Sequence, residues 1–435
     1  MDIYLLYHTC MTKKNVLLFI FIFFPLFLFA DTKIDEIYIG DREPIIGPIP
    51  QYDPESNSYP NPFNDDQIIL TIDKNNYINF IENILTPGQI EMFEAYPETF
   101  KMHVYPSRRS CAVPLEVLKL TKENAKLTDE GEGLEGVVGS IPFPNPSEAL
   151  HHVWNHILRY RGVNIYGASP FYIVNPDSSR TFGAGEAIAI NYWNPFVEND
   201  KGLQGMLMSK VTHPPRLADA SLLVIESLNA FKTPRRAWVY NPGTRRVRRA
   251  PDIAYDYKPS ANQGLTTTDQ FDGFNGAKDR YNWSFVGTTK KLMPYNAYEF
   301  HETNIEETLT PYHVNQEFLR YELVNVNIVQ ADLKSDKRHI IPHRTMYFDL
   351  DSHNMLVEET YDDENQIMAY REFPIINFYD QPMCLSIHSA TYDFATKRYQ
   401  LTNVRSKDIP KIEWRLSKPH DEKMFTPEGL KRFAR

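Results

Sequence analysis

Cysteine is scarce in this sequence: only Cys10, Cys111 and Cys384 occur among 435 residues. A scaffold held together by several disulfides is therefore excluded, and so is a C-x-x-C redox or metal motif. Cys111 and Cys384 can form one disulfide in an oxidising compartment, or they can remain two buried thiols. Both alternatives stay open, because a sequence does not give the Cα–Cα distance that a disulfide requires.

Recognisable catalytic motifs are also missing. The sequence has no G-x-S-x-G nucleophile elbow and no phosphate-binding loop, so we predict no catalytic residue and no cofactor. His152 and His156 lie four residues apart on a predicted helix, but Val153 stands where a zinc protease needs a glutamate. We interpret both histidines as hydrogen-bonding helix residues and predict no metal site; a structural metal is the lesser alternative.

A loop rich in acidic and amide side chains is a second candidate for metal binding. It contains Asp269, Asp272, Asn275 and Asp279. Their spacing differs from that of the EF-hand calcium loop. Turn-forming Asp and Asn residues beside glycines explain the same composition more simply, so we favour a turn over a calcium site.

Only one long apolar run is present, and it lies near the N-terminus. Lys13 and Lys14 precede the fifteen residues from Val16 to Ala30, which include no polar side chain. This run is shorter than the roughly 20 residues that a membrane-spanning helix needs, and it is typical of a signal peptide. We predict that residues 1–30 are a signal peptide that starts at Met11 and is cleaved near Ala30, which would leave a soluble periplasmic protein.

Basic residues are fewer than acidic ones. The chain has 46 Lys and Arg against 56 Asp and Glu, and its formal net charge is −10. An acidic chain is a poor partner for nucleic acid. The sequence also lacks a repeat of 20–50 residues, which argues against a propeller or a solenoid.

The hydrophobic patterns predict a single large domain rich in β-structure. Residues 31–75 contain many prolines and are expected to be irregular. An apolar stripe at helical spacing predicts a helix over Asn145–Tyr160. From about residue 204 onward apolar and polar residues alternate, and Thr345–Phe373 reads as three consecutive strands. We predict an α+β fold over residues 76–410, with about ten strands in a large curved antiparallel sheet, helices packed in or over its concave face, and a tail at 411–435.

An arginine-rich hairpin is the most distinctive local feature. Six arginines occur in the fifteen residues from Arg235 to Arg249, and a turn at Asn241–Thr244 separates two β-prone runs. Both faces of the second strand would be basic, which suits an exposed edge. The arginines can protect that edge, pair with acids of the same chain, or bind an anionic headgroup or partner. The candidate contact residues are Arg236, Arg245, Arg246, Arg248 and Arg249.

Several long blocks of this sequence resemble one protein family. They include PRRAWVYNPGTRRVRRAP, AYPETFKMHVYPSRRS and TTDQFDGFNGAKDRYNW. The family comprises exported Gram-negative proteins of unassigned function, often labelled outer-membrane lipoprotein-sorting protein. The resemblance implies a relation to the periplasmic lipoprotein carriers, whose fold is an unclosed β-barrel with helices in its mouth. It also implies an association with export pumps, because members are often encoded beside them.

These observations favour a periplasmic carrier or chaperone for a lipid, a lipoprotein or another hydrophobic molecule bound for the outer membrane. An accessory protein that docks an export pump or an outer-membrane partner is the alternative, and transient membrane contact fits either. An unrecognised hydrolase is least favoured. A large apolar cavity would support the carrier, and a filled sheet with an exposed patch would support docking. The candidate wall residues of the carrier are Trp154, Ile157, Trp238, Tyr240, Met346 and Phe348.

Overall fold

The computed structural model describes residues 59–111, 113–194, 199, 201–250, 255–386, 388–403 and 420–435, together with the backbone at 43–44 and 413–415. The predicted signal peptide, and the proline-rich segment before residue 59 apart from 43–44, lie outside these residues. Within the described part of the chain, no helix combines the length and the apolar character needed to cross a membrane.

Strands make up most of the regular structure. In chain order they are β1 (Glu43–Pro44), β2 (Leu70–Ile72), β3 (Met102–Tyr105), β4 (Arg108–Arg109), β5 (Lys126–Thr128), β6 (Gly133–Glu135), β7 (Asn164–Ala168), β8 (Phe171–Val174), β9 (Arg180–Asn191), β10 (Leu203–His213), β11 (Ser221–Ser227), β12 (Arg236–Asn241), β13 (Arg246–Arg249), β14 (Tyr281–Pro294), β15 (Tyr321–Leu333), β16 (His343–Asp349), β17 (Met355–Tyr361), β18 (Ile367–Glu372), β19 (Ile375–Phe378), β20 (Met383–Ser386), β21 (Ser389–Asp393), β22 (Arg398–Thr402) and β23 (Glu413–Arg415).

The helices are short. The α-helices are α1 (Pro87–Ala95), α2 (Leu115–Leu120), α3 (Ala149–Leu158), α4 (Tyr298–Glu302), α5 (Ile305–Thr308) and α6 (Pro427–Phe433). The predicted helix over Asn145–Tyr160 is therefore present as α3, but it begins at Ala149 with Glu148 as its N-cap residue. Asn145 lies four residues before the first residue of the helix, and its side-chain amide donates to Glu123.

One large sheet contains most of the strands. Its hydrogen-bonded order is β14, β15, β16, β17, β18, β21, β22, β8, β9, β10, β11, β12, β13. Strand β7 pairs with β9 next to β8, and β23 pairs with the other edge of β7. Strand β3 pairs with β15 in parallel, and β2 pairs with β3. None of the described pairings connects β13 to β14, so the sheet is not closed. The β-rich α+β fold with an unclosed sheet is confirmed, although the sheet is mixed and not purely antiparallel.

The register assigns every side chain in the sheet to one of two faces. Directly opposed residues share a face, and alternate residues along a strand return to it. From Arg371 the register leads through Thr391, Gln400 and Ile173 to Thr181 on β9. One face therefore continues from β16 to β12. Its members include Arg344, Met346, Phe348, Ala187, Leu207, Val224 and Val239.

The segment between β13 and β14 shows which face is concave. Arg371 donates to the main-chain oxygen of Gln270 at 2.9 Å, and Asn275 donates to the carboxylate of Glu226 at 3.4 Å. Arg371 and Glu226 lie on the same face but in opposite halves of the sheet. Because one short loop touches both halves, the sheet bends around that loop. We call this face the inner face and the opposite one the outer face.

Three hydrophobic clusters stabilise the sheet. On the inner face, α3 packs its buried side chains against β15 and β16. On the outer face, α1 and the neighbouring chain cover the centre of the sheet, whereas α6 covers β9 to β12. The C-terminal segment, predicted as a tail, thus includes a helix whose Leu430 is fully buried. Burying each large apolar side chain contributes about 1.5–3 kcal/mol.

The two remaining cysteines form a disulfide. Cys111 and Cys384 are joined with their Cα atoms 5.2 Å apart and 273 residues apart in sequence. The structure thereby decides between the alternatives that the sequence left open. The bond ties the chain that follows β4 to strand β20.

Candidate functional site

The arginine hairpin has the predicted form. Strands β12 and β13 pair through Trp238 with Arg249 and through Val239 with Arg248, and Arg245 lies in the connecting turn with a φ of 54°. Strand β13 pairs with no other described strand, so it is an edge of the sheet. The expectation of an exposed basic edge is confirmed.

The register separates the arginines between the two faces of the sheet. Arg246 and Arg248 share the inner face with Val239, whereas Arg236 and Arg249 share the outer face with Trp238. Arg245, Arg246, Arg248 and Arg249 are exposed and Arg236 is partly exposed. Within the described residues, none of these five guanidinium groups forms an ion pair, so their charge is available to a ligand or partner.

Arg235 differs from its five neighbours. Its guanidinium contacts the carboxylate of Glu226 at 2.5 Å and stacks over the ring of Tyr255 at 4.4 Å. Among the described residues, Arg235 is the one hairpin arginine that pairs with an acid of the same chain. It anchors the start of β12 to the inner face.

The six predicted wall residues do not form one surface. Trp154 and Ile157 on α3 pack with Met346 and Phe348 on the inner face, and all four are at least 97% buried. The centre of the inner face is therefore filled by the protein's own side chains. Trp238 and Tyr240 instead lie on the outer face, where they pack beneath α6. Ligand contact by any of the six remains a prediction.

A different apolar surface lies on the inner face of the other half of the sheet. Its larger side chains come from β7, β10, β11 and β12, and every one of them is partly exposed. Small residues separate them, including Ala187 and Ala189 on β9. We call this surface the inner strip. Its larger residues are Ile165, Leu207, Leu222, Val224 and Val239.

The sequence carried a weak signal for the inner strip. The sequence of Ser221–Ser227 is SLLVIES, in which four apolar residues follow one another. Such a strand has apolar side chains on both faces, but the sequence does not reveal that α6 covers only one of them. The register and the position of α6 together identify the inner strip.

A buried ionic network completes the inner face beside α3. Arg344 contacts Asp269 at 2.5 Å and Glu358 at 3.1 Å, and Arg371 contacts Glu358 at 2.5 Å. Burial by itself would raise the pKa of Asp269, but Arg344 and His339 outweigh it and lower that pKa to about 2. The two arginines therefore neutralise two carboxylates that would otherwise be buried as unpaired charges.

The outer face holds a buried carboxylate, Glu372, that has no cation beside it among the described residues. Tyr392 donates to Glu372 at 2.7 Å, Tyr321 at 3.0 Å and Tyr370 at 3.4 Å. Burial raises the pKa of Glu372 to about 6, although the three hydroxyl groups oppose that rise. The protonated form of this side chain is therefore favoured by folding.

This raised pKa predicts a pH-dependent loss of stability. Since the folded protein binds the Glu372 proton more tightly than the unfolded chain, the free energy of unfolding falls as pH rises from about 4.5 to about 6, by about 2 kcal/mol. Glu372→Gln should reduce this fall, and Glu364→Gln at an exposed turn should not. Urea unfolding across that pH range measures both slopes, and equal slopes would contradict the assignment.

The acidic loop between β13 and β14 is a structural element. Asp269 pairs with Arg344, Asp279 contacts Lys337 at 2.9 Å, and Asp272 lies between Arg159 and Arg161. Basic side chains thus occupy the three carboxylates that calcium would need. The turn interpretation fits this arrangement.

The two helix histidines are buried separately. One ring nitrogen of His156 lies 3.1 Å from the main-chain N–H of Met355 and the other 2.7 Å from the main-chain oxygen of Asp272. The His152 ring packs at a tilt against Phe285 with ring centroids 4.5 Å apart, and burial lowers its pKa to about 4. Neither ring nitrogen of His152 has a hydrogen-bond partner within the described residues, so the hydrogen-bonding interpretation is wrong for this histidine. Within the described residues, no group of three potential metal ligands is present.

Comparison with known proteins places most of the chain in a known family. The family described as "Protein of unknown function (DUF1329)" matches residues 71–431. An uncharacterised protein of Pseudomonas aeruginosa is 35% identical over 385 residues, which cover 85% of this chain and 83% of that protein.

Solved structures with a similar chain path are distant in sequence. A domain from Vibrio parahaemolyticus, described in terms of outer-membrane lipoprotein sorting, has a TM-score of 0.45 and 12% identity, and covers 65% of this chain and 98% of its own. A DUF1329 family protein from Desulfovibrio piger has a TM-score of 0.42 and 11% identity, with 62% and 92% covered. A LolA superfamily protein from Nitrosomonas europaea has a TM-score of 0.39 and 9% identity, with 65% and 98% covered.

Proposed function

This chain belongs to the DUF1329 family, and we propose that it is an exported periplasmic carrier that holds a lipid-like molecule or lipoprotein acyl chain against the inner strip. One observation carries the proposal: five apolar side chains on adjacent strands of the concave face are partly exposed. A water-exposed apolar surface on a concave face is a favourable site for an acyl chain, since each buried methylene contributes about 0.8 kcal/mol.

Two further features support export of the carrier. The disulfide between Cys111 and Cys384 is of the kind that persists in oxidising compartments such as the periplasm. The N-terminal sequence carries the pattern of a signal peptide. A periplasmic location would let the inner strip meet lipids in transit to the outer membrane.

The filled centre of the inner face limits where cargo can bind. Trp154 and Phe348 occupy that centre with less than 2% of their surface exposed. A bound chain would therefore lie along β9 to β12, on the side of the inner face away from α3. This position differs from the wall that the sequence suggested.

A charged side chain in the inner strip should weaken cargo binding. Leu207→Asp places a carboxylate where an acyl chain would have to desolvate it, so we expect affinity for a fluorescent fatty acid to fall at least about tenfold. Leu118→Asp is the matched control, because Leu118 is 48% exposed on α2, away from the inner strip. Fluorescence titration measures both affinities.

One result would contradict the carrier proposal. If Leu207→Asp folds and binds the fatty acid as tightly as Leu118→Asp, the inner strip is not the binding surface. Native mass spectrometry of protein purified from its own periplasm gives a second reading, since a carrier should retain a lipid that the Leu207→Asp variant loses.

Docking to an anionic surface or an acidic partner is the second candidate function. The five arginines that form no ion pair within the described residues favour it. The double variant Arg246→Glu/Arg248→Glu should weaken binding to vesicles containing phosphatidylglycerol and leave the melting temperature nearly unchanged. Arg216→Glu/Arg338→Glu makes the same charge change at two exposed arginines outside the hairpin and serves as the control. An unaltered vesicle-binding curve for the first variant would remove the docking function.

A further inference from the structure

A small cleft lies where the C-terminal end of α3 meets strands β9 and β10. It is partly open to solvent, and its lining comes from three short segments of the chain. The lining residues are Ile157, Leu158, Arg159, Arg161, Gly162, Asn191, Trp193 and Gln204. The cleft is therefore apolar on its helix side and polar elsewhere. Its three uncharged polar side chains, Asn191, Trp193 and Gln204, already donate hydrogen bonds within the protein.

Arg159 uses its whole guanidinium group for the protein's own structure. Its Nε donates to the side-chain oxygen of Asn354 at 2.7 Å, and Nη1 donates to the main-chain oxygen of His156 at 2.5 Å. Its Nη2 donates to Asp272 at 2.7 Å. Each of its three nitrogens already donates to a group of the protein, so this arginine is fixed in place.

Arg161 is held at one nitrogen only. Its Nη1 donates to the second carboxylate oxygen of Asp272, and its side chain is 19% exposed. Within the described residues, Nε and Nη2 of Arg161 have no hydrogen-bond partner. Arg161 lines the cleft, and its Nε and Nη2 form a planar fork of two donors, a geometry that matches an oxyanion.

The charges around the cleft do not cancel. Arg159 and Arg161 share the single carboxylate of Asp272, which leaves one positive charge largely removed from water. Burial lowers the pKa of each arginine to about 9, so both remain cationic at neutral pH. Burial also lowers the pKa of His353 to about 4, and this neighbour adds no charge. An anion in the cleft would compensate the excess.

The cleft lies at one end of the inner strip. Asn191, which lines the cleft, is two residues beyond Ala189 on β9, or roughly 7 Å along the strand. Gln204 lies three residues before Leu207 on β10. A molecule with an anionic group and an apolar chain could therefore reach both surfaces at once.

We propose that the cleft beside Arg161 binds one oxyanion, and that this oxyanion is the headgroup of the amphiphile carried on the inner strip. The oxyanion site rests on the geometry of the cleft, and its role as a headgroup site rests on the proposed carrier function. A free phosphate ion has the same chemistry as a phosphate headgroup, so the experiment must separate the two sources.

The test compares three probes by isothermal titration calorimetry. Decyl phosphate carries both the anion and the chain, 1-decanol carries the chain, and inorganic phosphate carries the anion. We expect decyl phosphate to bind at least tenfold more tightly than 1-decanol. Arg161→Gln should remove that preference and leave the affinity for 1-decanol unchanged. Arg216→Gln, at an exposed arginine outside both the cleft and the arginine hairpin, should change neither.

The outcomes separate the cleft from the carrier function. If 1-decanol binds but Arg161→Gln keeps the preference for decyl phosphate, the oxyanion site is wrong and the carrier remains. If neither decyl compound binds but inorganic phosphate does so through Arg161, the site takes a free anion and the headgroup role is wrong. If no probe binds, both proposals fail.

A second variant keeps the test valid if Arg161→Gln does not fold. Arg161→Lys keeps the charge beside Asp272 but loses the fork, and we expect it to retain part of the preference. In the wild-type protein, inorganic phosphate should displace decyl phosphate competitively and leave bound 1-decanol in place. Failure of phosphate to compete would overturn the shared site without any variant.

Discussion

Replacing Cys111 and Cys384 together by serine should lower the free energy of unfolding by about 2–5 kcal/mol. The disulfide closes a loop of 273 residues, and a closed loop of that length removes many conformations from the unfolded chain. Without the bond, the chain after β4 is held to β20 only by packing and hydrogen bonds. Denaturant unfolding under non-reducing conditions measures the loss.

The reduced wild-type protein provides the control for this prediction. Adding a reductant should destabilise the wild type to about the level of the double serine variant and should leave the variant unchanged. If the variant unfolds at the same denaturant concentration as the oxidised wild type, the bond contributes nothing and the prediction fails.

Replacing Arg344 by methionine should have an effect of similar size. Arg344 has no exposed side-chain surface and contacts both Asp269 and Glu358. Its removal leaves two buried carboxylates with too little positive charge, and breaking such a buried network costs about 3–5 kcal/mol. Methionine fills much of the same volume. The loss in the free energy of unfolding therefore reflects the removed charge more than lost packing.

The matched control for this variant is Arg109→Met. Arg109 pairs with Asp351 at 3.2 Å, but its side chain is 57% exposed, and exposed pairs contribute about 0–1 kcal/mol. Thermal and urea unfolding of both variants should therefore differ by several kcal/mol. Equal losses would show that the network around Arg344 does not stabilise the fold.

Acid sensitivity gives an independent reading of the same network. The pKa of Asp269, lowered to about 2, lies below its ordinary value of 3.8. The carboxylate therefore contributes about 2 kcal/mol of stability above pH 3.8, and this contribution is lost as pH falls towards 2. In Arg344→Met most of that acid-dependent loss should disappear.

The functional predictions depend on different surfaces of one sheet. The inner strip would hold the apolar part of a cargo, the cleft beside Arg161 its anionic group, and Arg246 and Arg248 a membrane or partner. Each surface has a variant that leaves the other two intact. A carrier that does not dock, or a docking protein that carries nothing, would therefore be recognised by which variants lose binding.

Much of the local structure could be predicted from the sequence because it depends on neighbouring residues. Alternation over Thr345–Phe373 gave the three strands β16, β17 and β18, and the turns between them lie at His353 and Asn365, which both have positive φ. The arginine hairpin followed from its turn residues in the same way. The family was recognisable from long blocks of sequence and is confirmed.

The candidate site was less predictable because periodicity assigns a residue to a face without showing what covers that face. Trp238 and Tyr240 have the strand spacing of wall residues, yet α6 packs over them on the outer face. Leu207 and Val224 look like core residues in the sequence, but they remain partly exposed on the inner face. No sequence pattern pointed to Arg161 as a binding residue. Which of its nitrogens lack a partner depends on the fold, because the two carboxylate oxygens of Asp272 accept from Arg159 and from Arg161.

The sequence by itself therefore determined the kind of secondary structure, the basic hairpin and the family, since each depends on residues close together in the chain. The tertiary structure alone decided that Cys111 meets Cys384, that the centre of the concave face is filled, and that an apolar strip and a cationic cleft remain open beside it. These features arise from contacts between segments up to 273 residues apart, and no local pattern specifies which distant segment will cover a given face.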